Sequence, residues 1–133
     1  MATVFEKLNL GKHQEIAVLN PPASFEAELA SLAVLHLHRH LQPVVHFVLA
    51  FVTRQDEVDA LSAQIVARAQ GDAIVCFAYP KGTSKRYQCD FNRDTGWVAL
   101  NAAGFETVRA IAIDEDWTAL RFRRREFVKA RAK

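Results

Sequence analysis

Hydrophobic and polar positions along this chain fall into stretches with two different periods. "EIAVLN" (15–20) is a short β-rich run, stopped by Pro21 and Pro22 because proline has no N–H to give a sheet ladder. Ser24 is placed to cap a helix reaching about residue 31, with Phe25, Leu29 and Leu32 along its apolar face. "VLHLHRHL" (34–41) alternates apolar and polar residues and predicts an extended edge segment. "VVHFVLAFV" (44–52) is apolar at both parities, which predicts a strand covered on both faces, with His46 among core neighbours. The clearest helix spans 53–71, with Thr53 as its cap, Val58, Leu61 and Ile65 on one face and Gly71 as its stop. "DAIVCFAY" (72–79) predicts a second doubly covered strand. Beyond a long loop, Asn92 or Asp94 is placed to cap a helix ending at Gly104. "TVRAIAID" (107–114) and "TALRFRRREFV" (118–128) then predict an antiparallel hairpin around "EDW".

Strands that alternate with helices and are apolar throughout imply an α/β chain. The expected fold is a three-layer Rossmann-like open sheet, mostly parallel with an antiparallel C-terminal strand. The expected central order is 15–20, 44–52, 72–79, 118–128, 107–114, with 34–41 outside the first strand. Residues 1–133 then form a single domain, long enough to close a core without disulfides or metal.

Composition alters this picture in three places. Half the residues are apolar, yet no run reaches bilayer-spanning length, so no membrane partner is expected. The start "MATVFEKLNL" lacks the build of a secretion signal, which makes the cytoplasm the expected compartment. Two cysteines do not make a disulfide framework: Cys76 is expected in the core and Cys89 in the loop, both as unpaired thiols. The net charge of +2 hides an asymmetry. Of 17 basic and 15 acidic residues, seven basic ones (Arg121, Arg123, Arg124, Arg125, Lys129, Arg131, Lys133) and Glu126 fall in 117–133. A weakly acidic body thus ends in a basic tip.

The element order with its closing hairpin resembles the latter half of a class I methyltransferase-type Rossmann domain. "VLNPP", "FAYPKGTSK" and "IDEDWTALRF" further resemble a bacterial family of small proteins with no established activity. That resemblance runs along nearly the whole chain and implies a fold, with no catalytic residue to carry over. One departure matters. Methyltransferases of this class follow the first strand with a glycine-rich turn, whereas "VLNPPASFE" holds no glycine. Glycine serves there because it lacks Cβ and tolerates positive φ. Proline has a fixed φ and no N–H. The usual S-adenosylmethionine pocket is therefore not expected, and no cofactor is assigned. The resulting expectation is a non-catalytic binding or accessory protein on a degenerate methyltransferase-like scaffold. An enzyme acting on a small anionic substrate is the alternative.

In an open parallel sheet, ligands sit beyond the carboxyl ends of the strands, where the strand order reverses. That point lies here between 15–20 and 44–52, and the strand ends supply Asn20, Thr53, Arg54, Tyr79, Lys81 and Asp114. The stretch "PKGTSKR" adds a glycine, two hydroxyls and three cations. A small anionic ligand would be met by Lys81 with Lys85 or Arg86, near Asn20 and Arg54, with Tyr87 as an apolar wall. A solvated connection is the stronger expectation, because the frame of a phosphate loop is missing and surface loops are rich in such residues.

Other clusters weigh less. His36, His38 and His40 share one face of a strand, but neighbours two apart lie about 6–7 Å from each other and do not converge, so no metal is assigned. Asp114, Glu115 and Asp116 sit where a turn favours aspartate, with Trp117 as its anchor. The basic tip comes without a recognition helix or stacking aromatic pair, so nucleic acid is not the expected partner. Charge there guards a sheet edge. Nucleic-acid or protein interaction through that C-terminal strand remains the further alternative.

Overall fold

Strands that are apolar on both sides need cover on both faces. The described residues of this computed structural model, 15–30, 36–85, 87–91 and 96–129, supply it. The strands are β1 (Glu15–Leu19), β2 (His36–His38), β3 (Val45–Phe51), β4 (Ala69–Pro80), β5 (Phe105–Ala112) and β6 (Trp117–Arg124). They form one sheet in the order β2-β1-β3-β4-β6-β5. β1 runs parallel to β2 and β3, and β3 parallel to β4, while β6 is antiparallel to both β4 and β5. The expected fold class and strand order are both borne out, with the histidine segment at the outer edge.

Alternation along the central strands builds two cores. Val48, Ala50, Val75, Phe77, Leu120 and Phe122 meet Val58 and Ile65 of α2 (Gln55–Arg68) and Leu100 of α3 (Val98–Ala102). Phe47, Leu49, Phe51, Ile74, Cys76 and Ala119 meet Phe25, from a 3₁₀ turn (Ala23–Phe25), and Leu29 of α1 (Glu26–Ala30). Three layers result.

Several local details differ from the sequence reading. The helical turn after β1 starts from Pro22, whose carbonyl accepts the Phe25 N–H at 2.9 Å, so Ser24 lies inside the turn and does not cap it. Thr53 likewise precedes the true N-cap of α2, Arg54. Two carboxylates satisfy the first donors there. Glu57 accepts from the Thr53 and Arg54 N–H groups at 2.9 and 3.1 Å, and Asp90 accepts from the Gln55 N–H at 2.6 Å. At the other end α2 stops at Arg68 and β4 begins at once. Gly71, at φ 57, lies inside β4 where pairing jumps from Val45↔Ala69 to Phe47↔Ile74. It therefore makes a bulge, which needs its left-handed backbone, and does not end the helix. His46 has no paired residue in that bulge and turns outward, exposed between buried Val45 and Phe47. Asn92 and Asp94, the expected caps of the next helix, lie outside the described residues.

The final strand ends at Arg124 and gives way to α4 (Arg125–Lys129). Its arginines are tied inward. Arg123 grips Asp72 through two bonds of 2.8 and 2.6 Å, and Arg124 donates to the Ala69 and Gly71 carbonyls at 2.7 and 3.2 Å. Arg125 meets Glu106 at 3.1 Å. The basic strand thus fastens the hairpin to the start of β4. No described helix is long and apolar enough to cross a membrane.

Candidate functional site

β4 delivers Tyr79 and Pro80, both buried, to the carboxyl edge of the sheet, and the chain leaves the sheet at Lys81. The loop beyond that edge is anchored at once. The Lys81 N–H donates to the Asp116 carbonyl at 2.8 Å, and the Ser84 hydroxyl donates to Asp116 Oδ1 at 2.9 Å. Ser84 Oγ also accepts the Tyr87 N–H at 3.1 Å. Asp116 is fixed in turn by Asp114, whose Oδ1 accepts the N–H groups of Asp116 and Trp117 at 2.8 and 2.9 Å. The acidic turn is therefore a structural mooring, with buried Trp117 as its anchor, as its composition suggested.

Farther along the loop, burial alternates: Tyr87, Cys89 and Phe91 are half-buried, while Gln88 and Asp90 are exposed. Tyr87 packs on Trp117 with ring centroids 4.9 Å apart. Phe91 lies 5.9 Å from Tyr79 and 5.4 Å from Trp97. The Asp90 N–H reaches the Thr53 carbonyl at 3.2 Å, beside the bond from Asp90 to α2. Moored at both ends, the loop stands off the sheet edge and encloses a cleft of about 700 Å³. Its walls include Tyr79, Lys81, Thr83, Gln88, Phe91 and Thr118.

The electrostatics of this cleft are simple. Lys81 is the charged residue among its described walls, and its ammonium makes no ion pair or side-chain hydrogen bond with the described residues. Cys89 also lines the space, its thiol donating to the Phe91 carbonyl at 3.1 Å. Cys76 is different: complete burial pushes its thiol up to about 12, out of reach of thiolate chemistry.

The whole shape can be set beside known structures. A SAM-dependent methyltransferase from Aquifex aeolicus matches with a TM-score of 0.61, over 90% of this chain and 87% of its own, at 9% identity. A putative type 11 methyltransferase from Sulfolobus solfataricus matches at 0.54, over 90% and 76%, also at 9% identity. By fold, the chain is similar to the methyltransferases. The fibrillarin pre-rRNA processing protein of Methanococcus jannaschii matches at 0.52, over 84% of this chain and 56% of its own, at 11% identity. Identities this low carry the fold alone. No family model and no curated protein matches the chain.

In this methyltransferase-like sheet the turn after β1 has a particular interest. Asn20 occupies it at φ 54, a left-handed backbone that asparagine tolerates better than most side chains. The turn thus keeps the conformation of a glycine while Pro21 and Pro22 withhold their N–H groups. Asn20 is exposed and does not line the Lys81 cleft. Arg54 is exposed too and pairs with Asp56 at 3.2 Å. Lys85 is exposed and outside the lining, and Arg86 lies outside the described residues. Of the five residues expected together, the structure brings Lys81 to the cleft and leaves Asn20, Arg54 and Lys85 off its walls. The space opens between the end of β4, Thr118 of the hairpin and the loop, which is tied to Asp116 at one end and to Thr53 and Gln55 at the other. Tyr87 is a wall as expected. Gln88, Cys89, Phe91 and Thr118 were missed, although Tyr87-Cys89-Phe91 carries the period of a strand with one covered face.

At the opposite edge, Glu15, His38, Gln42 and His46 border a smaller hollow of about 270 Å³. His38 Nε2 lies 3.2 Å from Glu15 Oε1 without the alignment of a hydrogen bond. His40 falls beyond β2, so the three imidazoles do not share a strand. Among the described residues no group of three His, Cys, Asp or Glu is placed to hold a metal.

Proposed function

We propose that this chain is a small-molecule-binding domain on a methyltransferase-like scaffold, taking an anionic ligand at the Lys81 cleft without catalysing methyl transfer. One observation carries the reading: an ammonium without a counter-charge among the described residues lines a walled space at the carboxyl edge of the sheet. A carboxylate or phosphate there gains a charge-assisted bond of about 1.5–3 kcal/mol once partly desolvated. Lys85 and Arg86 follow on the same loop and are the candidates for a second contact. Two free thiols suit a reducing, cytoplasmic setting.

A second reading has one observation in its favour. Asn20 keeps the left-handed turn that an S-adenosylmethionine site needs after β1. Calorimetry separates the two. Wild type and Lys81→Met are titrated with S-adenosylmethionine and with a panel of small carboxylates and phosphates. Binding of an anion that Lys81→Met weakens at least tenfold, with no heat from S-adenosylmethionine, is the expected result. Binding of S-adenosylmethionine that ignores Lys81→Met and is lost on Asn20→Val overturns it.

A further inference from the structure

The walls of the cleft define its occupant more closely than the charge does. Tyr79 and Phe91 belong to the core on the α2 side of the sheet, where both pack on Trp97 at 5.7 and 5.4 Å. Tyr87 belongs to the other core, against Trp117, which in turn meets Phe51 at 5.2 Å. Aromatic surface therefore enters the cleft from both faces of the sheet, and each ring is already held by another ring behind it. Rings fixed in this way lose little freedom when a further ring stacks on them.

The hydrogen-bonding capacity of the same walls is small. Ser84 Oγ is committed to Asp116 and to the Tyr87 N–H. Thr118 Oγ1 donates to the Ile111 carbonyl at 3.1 Å, and the Cys89 thiol to Phe91. Lys81, Thr83, Gln88 and the hydroxyl at the tip of Tyr87 are left to meet a ligand. A polyhydroxylated or multiply charged molecule would strand polar groups against aromatic walls, which is costly. A flat apolar ring bearing one negative charge would not. A space of about 700 Å³ lies inside the usual range for small-ligand sites, roughly 300–1,000 Å³.

We propose, building on the anion-binding reading above, that the cleft is selective for a planar aromatic monoacid, its ring among Tyr79, Tyr87 and Phe91 and its charge on Lys81. Three matched probes test this: 2-naphthoate (ring and charge), 2-naphthylmethanol (ring only) and cyclohexanecarboxylate (charge only). Each is titrated by calorimetry, with amide shifts in ¹⁵N-labelled protein locating the site. The expected result is binding of 2-naphthoate with shifts at residues 81–91, at least tenfold tighter than either partner probe. Tyr87→Ala weakens naphthoate at least tenfold while leaving cyclohexanecarboxylate unchanged, and Lys81→Met abolishes the preference over naphthylmethanol. Equal, Lys81-dependent binding of both carboxylates overturns the aromatic inference and leaves the anion reading standing. Equal binding of naphthoate and naphthylmethanol overturns the anion reading. Failure of all three, or shifts away from 81–91, overturns the aromatic inference, and failure of the carboxylate and phosphate panel as well overturns the anion reading. Unchanged amide spectra of the two variants without ligand show that they remain folded.

Discussion

Asp114→Ala should cost more stability than its exposed position suggests. One oxygen of this carboxylate accepts two backbone N–H groups, from Asp116 and Trp117, at 2.8 and 2.9 Å. Those residues are only 6% and 3% exposed, so their amides have little water to turn to when the acceptor is removed. A hydrogen bond to a charged group is worth about 1.5 kcal/mol at the low end. Two give about 3 kcal/mol, reduced to roughly 2–3 kcal/mol by the solvent that reaches the turn. Asp114→Asn keeps a neutral acceptor and should cost about 1 kcal/mol. Urea unfolding followed by tryptophan fluorescence and circular dichroism measures both. In a chain of this size the alanine variant should also melt about 10 °C lower. A loss below about 0.5 kcal/mol for Asp114→Ala would refute the assignment of the turn as a mooring for the loop, since ordinary surface substitutions fall in that range.

In the native protein an aromatic disulfide reagent should label Cys89 and spare Cys76, whose thiol is wholly buried; two equivalents reacting at the native rate would contradict the packing of β4. Bound 2-naphthoate should slow labelling of Cys89, which lines the cleft. The Arg39 guanidinium, hydrogen-bonded to Glu26 through two 2.9 Å contacts, holds that carboxyl below its ordinary 4.5. The pair's contribution is therefore present at neutral pH and lost as pH falls below 4.5 through the lowered value; the acid limb of a stability–pH curve should flatten in Arg39→Ala, and an unchanged limb would count against the pair. Phe77→Ala removes a fully buried ring between Trp97 and Phe122 and should cost about 3–5 kcal/mol by urea unfolding; a loss no larger than that of a surface substitution would contradict its place in that core.

Much of the fold was legible because burial on both faces leaves a plain mark. The runs 44–52 and 72–79 are apolar at both parities, and only the centre of a layered parallel sheet covers a strand that way. The hairpin was legible from Asp114 and Trp117, since an aspartate that binds the next amides fixes a turn locally. Caps were misread by one or two residues, at Arg54 and Pro22, and one acceptor of α2 is remote. Asp90 serves α2 from 35 positions away, a distance no local motif encodes. His46 was misread because a bulge removed its partner, and the bulge depends on pairing between β3 and β4. The cleft was half legible for the same reason. Lys81 follows a strand end, so sequence places it, whereas the direction in which the loop folds is decided by Asp116, 32 positions beyond Ser84.

The bond from Asp90 to the first amide of α2 makes that helix dependent on a loop with no regular structure of its own. Opening of the one is thereby coupled to opening of the other. Whatever detaches residues 87–91 from the sheet also strips the Gln55 amide of its acceptor, and fraying of the first turn loosens that end of the loop. The Gln55 amide, just beyond β3, therefore reports on the state of the cleft wall that holds Asp90. Its exchange with deuterium should track that of the Asp90 amide, slow together and fast together. An occupant that steadies the loop would slow both at once, so occupancy of the cleft is written into the protection of a helix that never touches it.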